Sequence, residues 1–231
     1  MQDKRLGILG WAMREVALVV VGVLIAFALN AWWVARGVHD QEQVHLRALV
    51  SDFEQNAGRL REVSRREQRA SESSLKLLEI AQINPIPSEE TITPLLNLAL
   101  SSSRFEAVTG AYDALLNSGG LTLIHDTALR ASLATFSSEA DARYSERFAE
   151  ELYVSFIREF AGQLQFANLV LKHTPDGVAY RKLLRDPKFR DYLAFRYATE
   201  GEVAARYAAL ERECTEILER LRGQLTTRPS P

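Results

Sequence analysis

Hydrophobic positions follow two different rules along this chain. From Val16 to Ala35 they are continuous, twenty residues with no charge and a single amide, Asn30. After Gly37 they return only every third or fourth position, set among Glu, Arg, Ala and Gln. A helix of twenty residues is about 30 Å long, the thickness of a bilayer's hydrocarbon core, so the continuous stretch predicts a transmembrane helix over 16–35. Trp11 before it and Trp32 with Trp33 at its far end fit interface anchors, since an indole suits the headgroup layer.

The periodic remainder predicts helices throughout. Leu46, Leu49, Val50, Phe53, Ala57, Leu60, Val63, Ala70, Ser74, Leu78 and Ala81 share one face of a long helix from Gly37 to about Ile83, interrupted at Glu67 and able to run straight out of the membrane. Asn84-Pro85-Ile86-Pro87 stops it, because proline cannot extend the hydrogen-bond ladder. Thr93 as N-cap with Pro94 at N1 predicts a helix to about Ser102, and a further one covers Val108 to Asn117, closed by Ser118-Gly119-Gly120. Asp126 caps a second long helix, whose stripe runs from Leu129, Leu133 and Phe136 through Phe156 and Phe160 to Leu164, with a kink near Ser137-Ser138 as the alternative. Ile157 and Phe166 thicken that stripe, and Thr174-Pro175-Asp176-Gly177 turns the chain.

A short helix over Val178 to Leu184 leads to Asp186-Pro187, an N-cap and N1 proline that open the last helix, to about Leu225. Val203, Tyr207, Leu210, Cys214, Ile217 and Leu221 alternate by four and three along it, a coiled-coil seam that needs a partner. The expected fold is all-α: one transmembrane helix, then an elongated antiparallel bundle of three long helices with short connecting helices. The expected organisation is a short cytoplasmic N-terminus over 1–15, the span at 16–35, an extracytoplasmic bundle at 37–225 and a disordered tail at 226–231.

Composition narrows this reading without redirecting it. The chain has 231 residues, net charge −2 and one cysteine. Near-neutral charge with scattered Lys and Arg gives no sign of a nucleic-acid partner, and one cysteine excludes an intrachain disulfide and every multi-cysteine metal site. A cleaved leader is the rival for the apolar stretch, with Lys4, Arg5 and Arg14 as its basic region and Ala26-Phe27-Ala28 as its cleavage shape. The apolar run continues past that site to Trp33 without a polar region, which favours an anchor that stays attached. Lys4, Arg5 and Arg14 before the span outnumber Arg36 and Arg47 after it, which places the N-terminus inside.

Candidate chemistry is sparse. Glu42-x-x-His45 puts a carboxylate and an imidazole on one helix face, but no second such pair exists, and His39 lies six residues before His45, well round the helix. His125 and Asp126 are adjacent on a turn and point apart, and Asp126 already serves as an N-cap. Cys214 falls on the seam, where a buried thiol is inert. Ser118 lacks the strand a nucleophile elbow requires, and no phosphate-binding glycine loop is present. The expectation is no enzyme, no cofactor and no metal. Gly22, Ala26 and Asn30 line one face of the span at intervals of four, a seam for a homodimer through the transmembrane helix. Tyr112, Ser118 and Gly119 belong to a stretch rich in aromatic, small and turn-forming residues, a candidate surface at the bundle end.

Two stretches carry a resemblance. Arg14-Glu15-x-x-Leu18-Val19-Val20-x-Gly22-Val23-Leu24-Ile25-Ala26-x-x-Leu29-Asn30-x-Trp32, continuing through Leu46, Leu49, Asp52, Phe53 and Asn56, resembles the N-terminal signature of a family of bacterial single-span proteins catalogued as a domain of unknown function. Tyr112-x-x-Leu115-x-x-Ser118-Gly119-x-Leu121-x-x-Ile124 resembles that family's second signature. The resemblance implies the bacterial inner membrane and an extracytoplasmic helical domain, and it brings no activity with it. The expected function is a non-enzymatic module that binds a protein partner or a small ligand. The alternatives are a membrane-tethered metalloprotein using Glu42 and His45, and a structural subunit of a membrane complex.

Overall fold

The computed structural model describes residues 3–141, 151, 153–156, 158–160, 163 and 177–226. Every regular element among them is helical. The first, α1, is one uninterrupted helix, Asp3–Ile80. At 1.5 Å per residue it is about 115 Å long. No proline lies within it, and glycine in a helix costs only about 1 kcal/mol against alanine, so Gly37 does not separate span from periodic helix. One helix near the N-terminus is therefore long and apolar enough to cross a membrane, and its apolar window is exposed throughout.

Helix α2 spans Glu89–Ala99. It begins earlier than the sequence suggests: Ser88 is the N-cap, and Pro94 sits inside the helix. Two terms outweigh the proline. Glu89 and Glu90 lie in the first turn, where carboxylates suit the helix dipole, and the early start brings Ile92, Leu96 and Ala99 onto one buried face. The helix also ends at Ala99, short of Ser102, because the next residues give their backbone groups to α1 and the last helix. Asn84-Pro85, a cis bond, lies in the connection before it.

Helix α3 runs Gly110–Ser118. Val108 stays outside it, because both of its backbone groups are held by Asn56. Gly119 ends α3 in the left-handed conformation at φ 70°, its N–H donating to the carbonyls of Leu115 and Leu116. Gly120 opens a 3-10 turn, and a Cβ there would stand 2.9 Å from Leu115 Cδ2. Helix α4, Thr127–Asp141, passes through Ser137 and Ser138. Asp126 Oδ1 caps it by accepting the N–H groups of Ala128 (2.9 Å) and Leu129 (3.0 Å). Residues 153–156 and 158–160 are helical. The Ile157 side chain, Leu164, Phe166 and the turn from Thr174 to Asp176 lie outside the described residues, as does the tail beyond Thr226.

Helix α5, Gly177–Arg185, and helix α6, Pro187–Thr226, complete the chain. Asp186 Oδ1 accepts the Lys188 N–H at 2.9 Å, the cap its sequence announces. Helix α6 packs along α1, with Arg222 joined to Glu54, Arg61 to Glu211, Ser64 to the Ala204 carbonyl and Ser71 to the Tyr197 carbonyl. All six residues of the α6 seam are buried. They share an apolar cluster with Leu46, Leu49, Phe53 and Leu60 of α1, Leu115 of α3 and Leu133 and Phe136 of α4. A second cluster joins Leu77, Ile92 and Leu96 to Phe156, Phe160, Tyr180, Phe189 and Tyr192, with the Phe156 and Tyr192 rings stacked at 3.8 Å. Glu67, Ser71, Ser74, Arg196 and Glu200, all buried, belong to neither cluster.

Candidate functional site

Those polar residues form the most unusual site in the molecule. Glu67 stays on the buried face of α1 and is 1 % exposed, while Arg196 and Glu200, one turn apart on α6, are each 2 % exposed. Arg196 donates from Nη1 to Glu200, from Nε to the Ala99 carbonyl at 3.0 Å and from Nη2 to the Ser101 carbonyl. Glu67 Oε1 accepts the Ser103 N–H. Its other oxygen is buried without a partner as a carboxylate, and the neighbouring Glu200 carboxylate can accept a hydrogen bond from Glu67 as a carboxylic acid. Burial above all, with the neighbouring Glu200 adding to it, pushes the Glu67 carboxyl up to about 9. Two carboxyl groups face one guanidinium out of contact with water, and a shared proton makes the set neutral.

The segment these groups hold, residues 101–109, has no helix of its own and is bound to α1 along its length. The Asn56 amide accepts the Val108 N–H at 2.7 Å and donates to the Val108 carbonyl at 2.9 Å. Asp52 Oδ2 accepts the Ala111 N–H at 2.7 Å, and Arg59 donates to the Glu106 carbonyl at 3.2 Å. From α6, the Tyr207 hydroxyl accepts the Phe105 N–H at 3.4 Å. Positions 52, 56, 59 and 67 lie along one side of α1, so a row of side chains on the first helix reads the main chain of the strap and of the first turn of α3.

Nearer the apolar stretch, Glu42 is buried and gathers two histidines. Its Oε1 accepts the His125 N–H at 3.2 Å and stands 3.2 Å from His125 Nδ1, while Oε2 is 3.8 Å from His39 Nδ1. The partners of Glu42 are thus His125 and His39, and its carboxylate is buried where the spacing suggests a solvated face. Among the described residues no group of three or more His, Cys, Asp or Glu is placed to hold a metal ion. Asp126, beside His125, also accepts from Gln224 at 3.0 Å and ties the end of α6 to the start of α4.

The remaining candidates are scattered. Gly22, Ala26 and Asn30 lie exposed on α1, and apart from the helix's own backbone no described residue stands within 4 Å of where a Gly22 Cβ would be. Trp32 and Trp33 are exposed, with Arg36 above the Trp32 ring at 5.6 Å, while the Trp11 side chain lies outside the described residues. Tyr112 is half-buried against the first cluster, and the Ser118 hydroxyl donates to the Ala114 carbonyl at 2.7 Å. Cys214 is buried, its thiol donates to the Phe53 carbonyl at 3.3 Å, and burial pushes it up to about 12. Among the described residues, an open depression of about 390 Å³ beside Ser64 and Ala204 and another of about 580 Å³ beside Phe105 and Thr109 each contain an engaged hydroxyl: Ser64 donates to the Ala204 carbonyl and Thr109 to Asp113 at 2.7 Å.

Periodicity alone does not reveal the buried set, because Glu67 interrupts the apolar stripe of α1. Its position between Leu60, Val63, Ala70 and Ser74 was the available signal, matched by an Arg196–Glu200 pair four residues apart in line with the seam of α6. No protein-family model, curated protein or solved structure matches this chain.

Proposed function

We propose that this chain is a single-pass protein of the bacterial inner membrane, N-terminus inside, whose helical part is an extracytoplasmic antiparallel bundle acting as a non-catalytic interaction or ligand-sensing module. The observation that carries the reading is α1: the apolar stretch and the face that organises the rest of the fold belong to one helix without a break. Contacts between α1 and α6 run in opposite order along the two helices, which supports the antiparallel layout. The two signatures that resemble the single-span family support the same placement. Sealing of the buried carboxyl set favours binding over catalysis.

Within this reading Gly22, Ala26 and Asn30 supply the contact between copies or with another span, since an amide in lipid gains about 1 kcal/mol from a partner across a helix pair. The test is extraction followed by capture. The protein stays in the membrane pellet through an alkaline carbonate wash and, solubilised in mild detergent, co-purifies with a second copy or a stoichiometric partner that Asn30→Leu weakens. Release into the wash sinks the membrane placement, and an isolated monomer in detergent sinks the interaction role.

A further inference from the structure

The strap over residues 101–109 is held by groups whose charge state is coupled to their burial, and this goes beyond the reading above. We propose that Glu67, Glu200 and Arg196 form a one-proton latch: while a proton is shared between the two carboxyl groups the strap stays docked, and opening of the strap releases that proton.

The geometry supplies each part. Arg196 spends two of its nitrogens on the Ala99 and Ser101 carbonyls, and Glu67 spends one oxygen on the Ser103 N–H, so two backbone groups at the start of the strap and the last carbonyl of α2 depend on this set. The remaining oxygen of Glu67 needs a hydrogen to satisfy it, and Glu200 is the acceptor in reach. With both carboxylates ionised the set carries one uncompensated negative charge out of water, which costs several kcal/mol. The groups acting on Glu67 are Glu200 and Arg196 from α6 and the Ser103 N–H from the strap. Tyr192, one turn before Arg196, is neutral, its hydroxyl held above the usual range by burial, and Tyr153 of the helical segment 153–156 faces it. Ser71 and Ser74 add only hydroxyls from α1, engaged with the Tyr197 and Ala70 carbonyls.

The sign follows from proton counting. Docked, Glu67 keeps its proton up to about pH 9; undocked and wet, it returns toward its ordinary value of 4.5. Between those limits the docked state binds one proton more, so raising the pH favours opening, about tenfold in the opening equilibrium per pH unit. Below the lower limit docking is at full strength, and above the upper limit the dependence levels off.

Hydrogen exchange on the full chain in detergent, at several values from about pH 5.5 to 8, reads this directly. The expected result is a protection factor for strap amides that falls about tenfold per unit, while the seam of α6 exchanges far more slowly. Glu67→Gln keeps the acceptor for Ser103 and donates to Glu200 without a titratable proton, so its strap protection stays flat with pH. A flat profile in the parent chain, the same slope in Glu67→Gln, or strap and seam exchanging together each overturns the latch. If Glu67→Gln does not fold, the infrared spectrum of the parent decides: a carboxylic-acid carbonyl band present at neutral pH and lost toward pH 10 supports the latch, and its absence at neutral pH refutes it.

Discussion

Asn56 and Val108 form a reciprocal pair, one side-chain amide serving both the N–H and the carbonyl of a residue 52 positions along the chain. A neighbouring strand would make the same two bonds. In an all-helical setting a single asparagine does so, and it has no exposed surface. Replacing Asn56 with Leu leaves two part-buried backbone groups unsatisfied, each worth about 1–3 kcal/mol. The expected loss is about 2–6 kcal/mol in chemical denaturation, with the strap amides losing exchange protection first. An Asn56→Leu protein as stable as the parent would show that water replaces the amide at no cost.

The buried charges call for a different pair of substitutions. Arg196→Met removes the cation acting on Glu67 among the described residues and strands the Ala99 and Ser101 carbonyls, an expected loss of about 3–5 kcal/mol. Replacing Glu67, Arg196 and Glu200 together by Leu, Met and Leu restores much of that stability, because no charge is then left buried alone. Denaturation midpoints of the single and triple variants measure the difference. A single variant no worse than the triple would mean that the three side chains are not energetically coupled.

Two glycines make opposite predictions. Gly37 is helical with nothing within 4 Å of a would-be Cβ, so Gly37→Ala stiffens the exit from the apolar stretch and stabilises the helix by up to about 1 kcal/mol. Gly119 also has open space, but at φ 70° any L side chain is strained, and Gly119→Ala costs about 1 kcal/mol. Thermal melts of the two variants should shift in opposite directions.

Cys214 offers a probe of global opening. Burial pushes its thiol up to about 12, so a maleimide at about pH 8 leaves it unmodified while the fold is intact and labels it fully in denaturant. Rapid labelling of the native protein would place the thiol at a surface and contradict the seam.

What the chain declares along its own length was legible; what depends on distant residues was not. The apolar stretch and the seam from Val203 to Leu221 announce themselves by period, and Asp126 and Asp186 cap the helices their sequences mark. Pro94 misled because its preference for a first turn was weighed locally, whereas the burial of Ile92 and Leu96 set the start of α2. Glu67 read as a break in the stripe because its compensation comes from Arg196 and Glu200, some 130 residues away. Spacing places His45 on the face of Glu42, whereas the partners of Glu42 lie three positions before it, at His39, and 83 residues along the chain, at His125. Asn56 stood in a signature without a role until Val108 supplied one.

The absence of a joint in α1 gives it leverage. From Arg36 to Ile80 the helix extends about 68 Å, so reorienting its base by about 10° sweeps the far end through about 12 Å, more than the width of a helix. Span tilts within a range of about 0–40° are ordinary for bilayers of differing thickness. On the proposed membrane placement, a small change in lipid depth around Leu18 to Trp33 would thereby be magnified into a lateral swing at the tip near Leu77, with the strap riding on the moving arm.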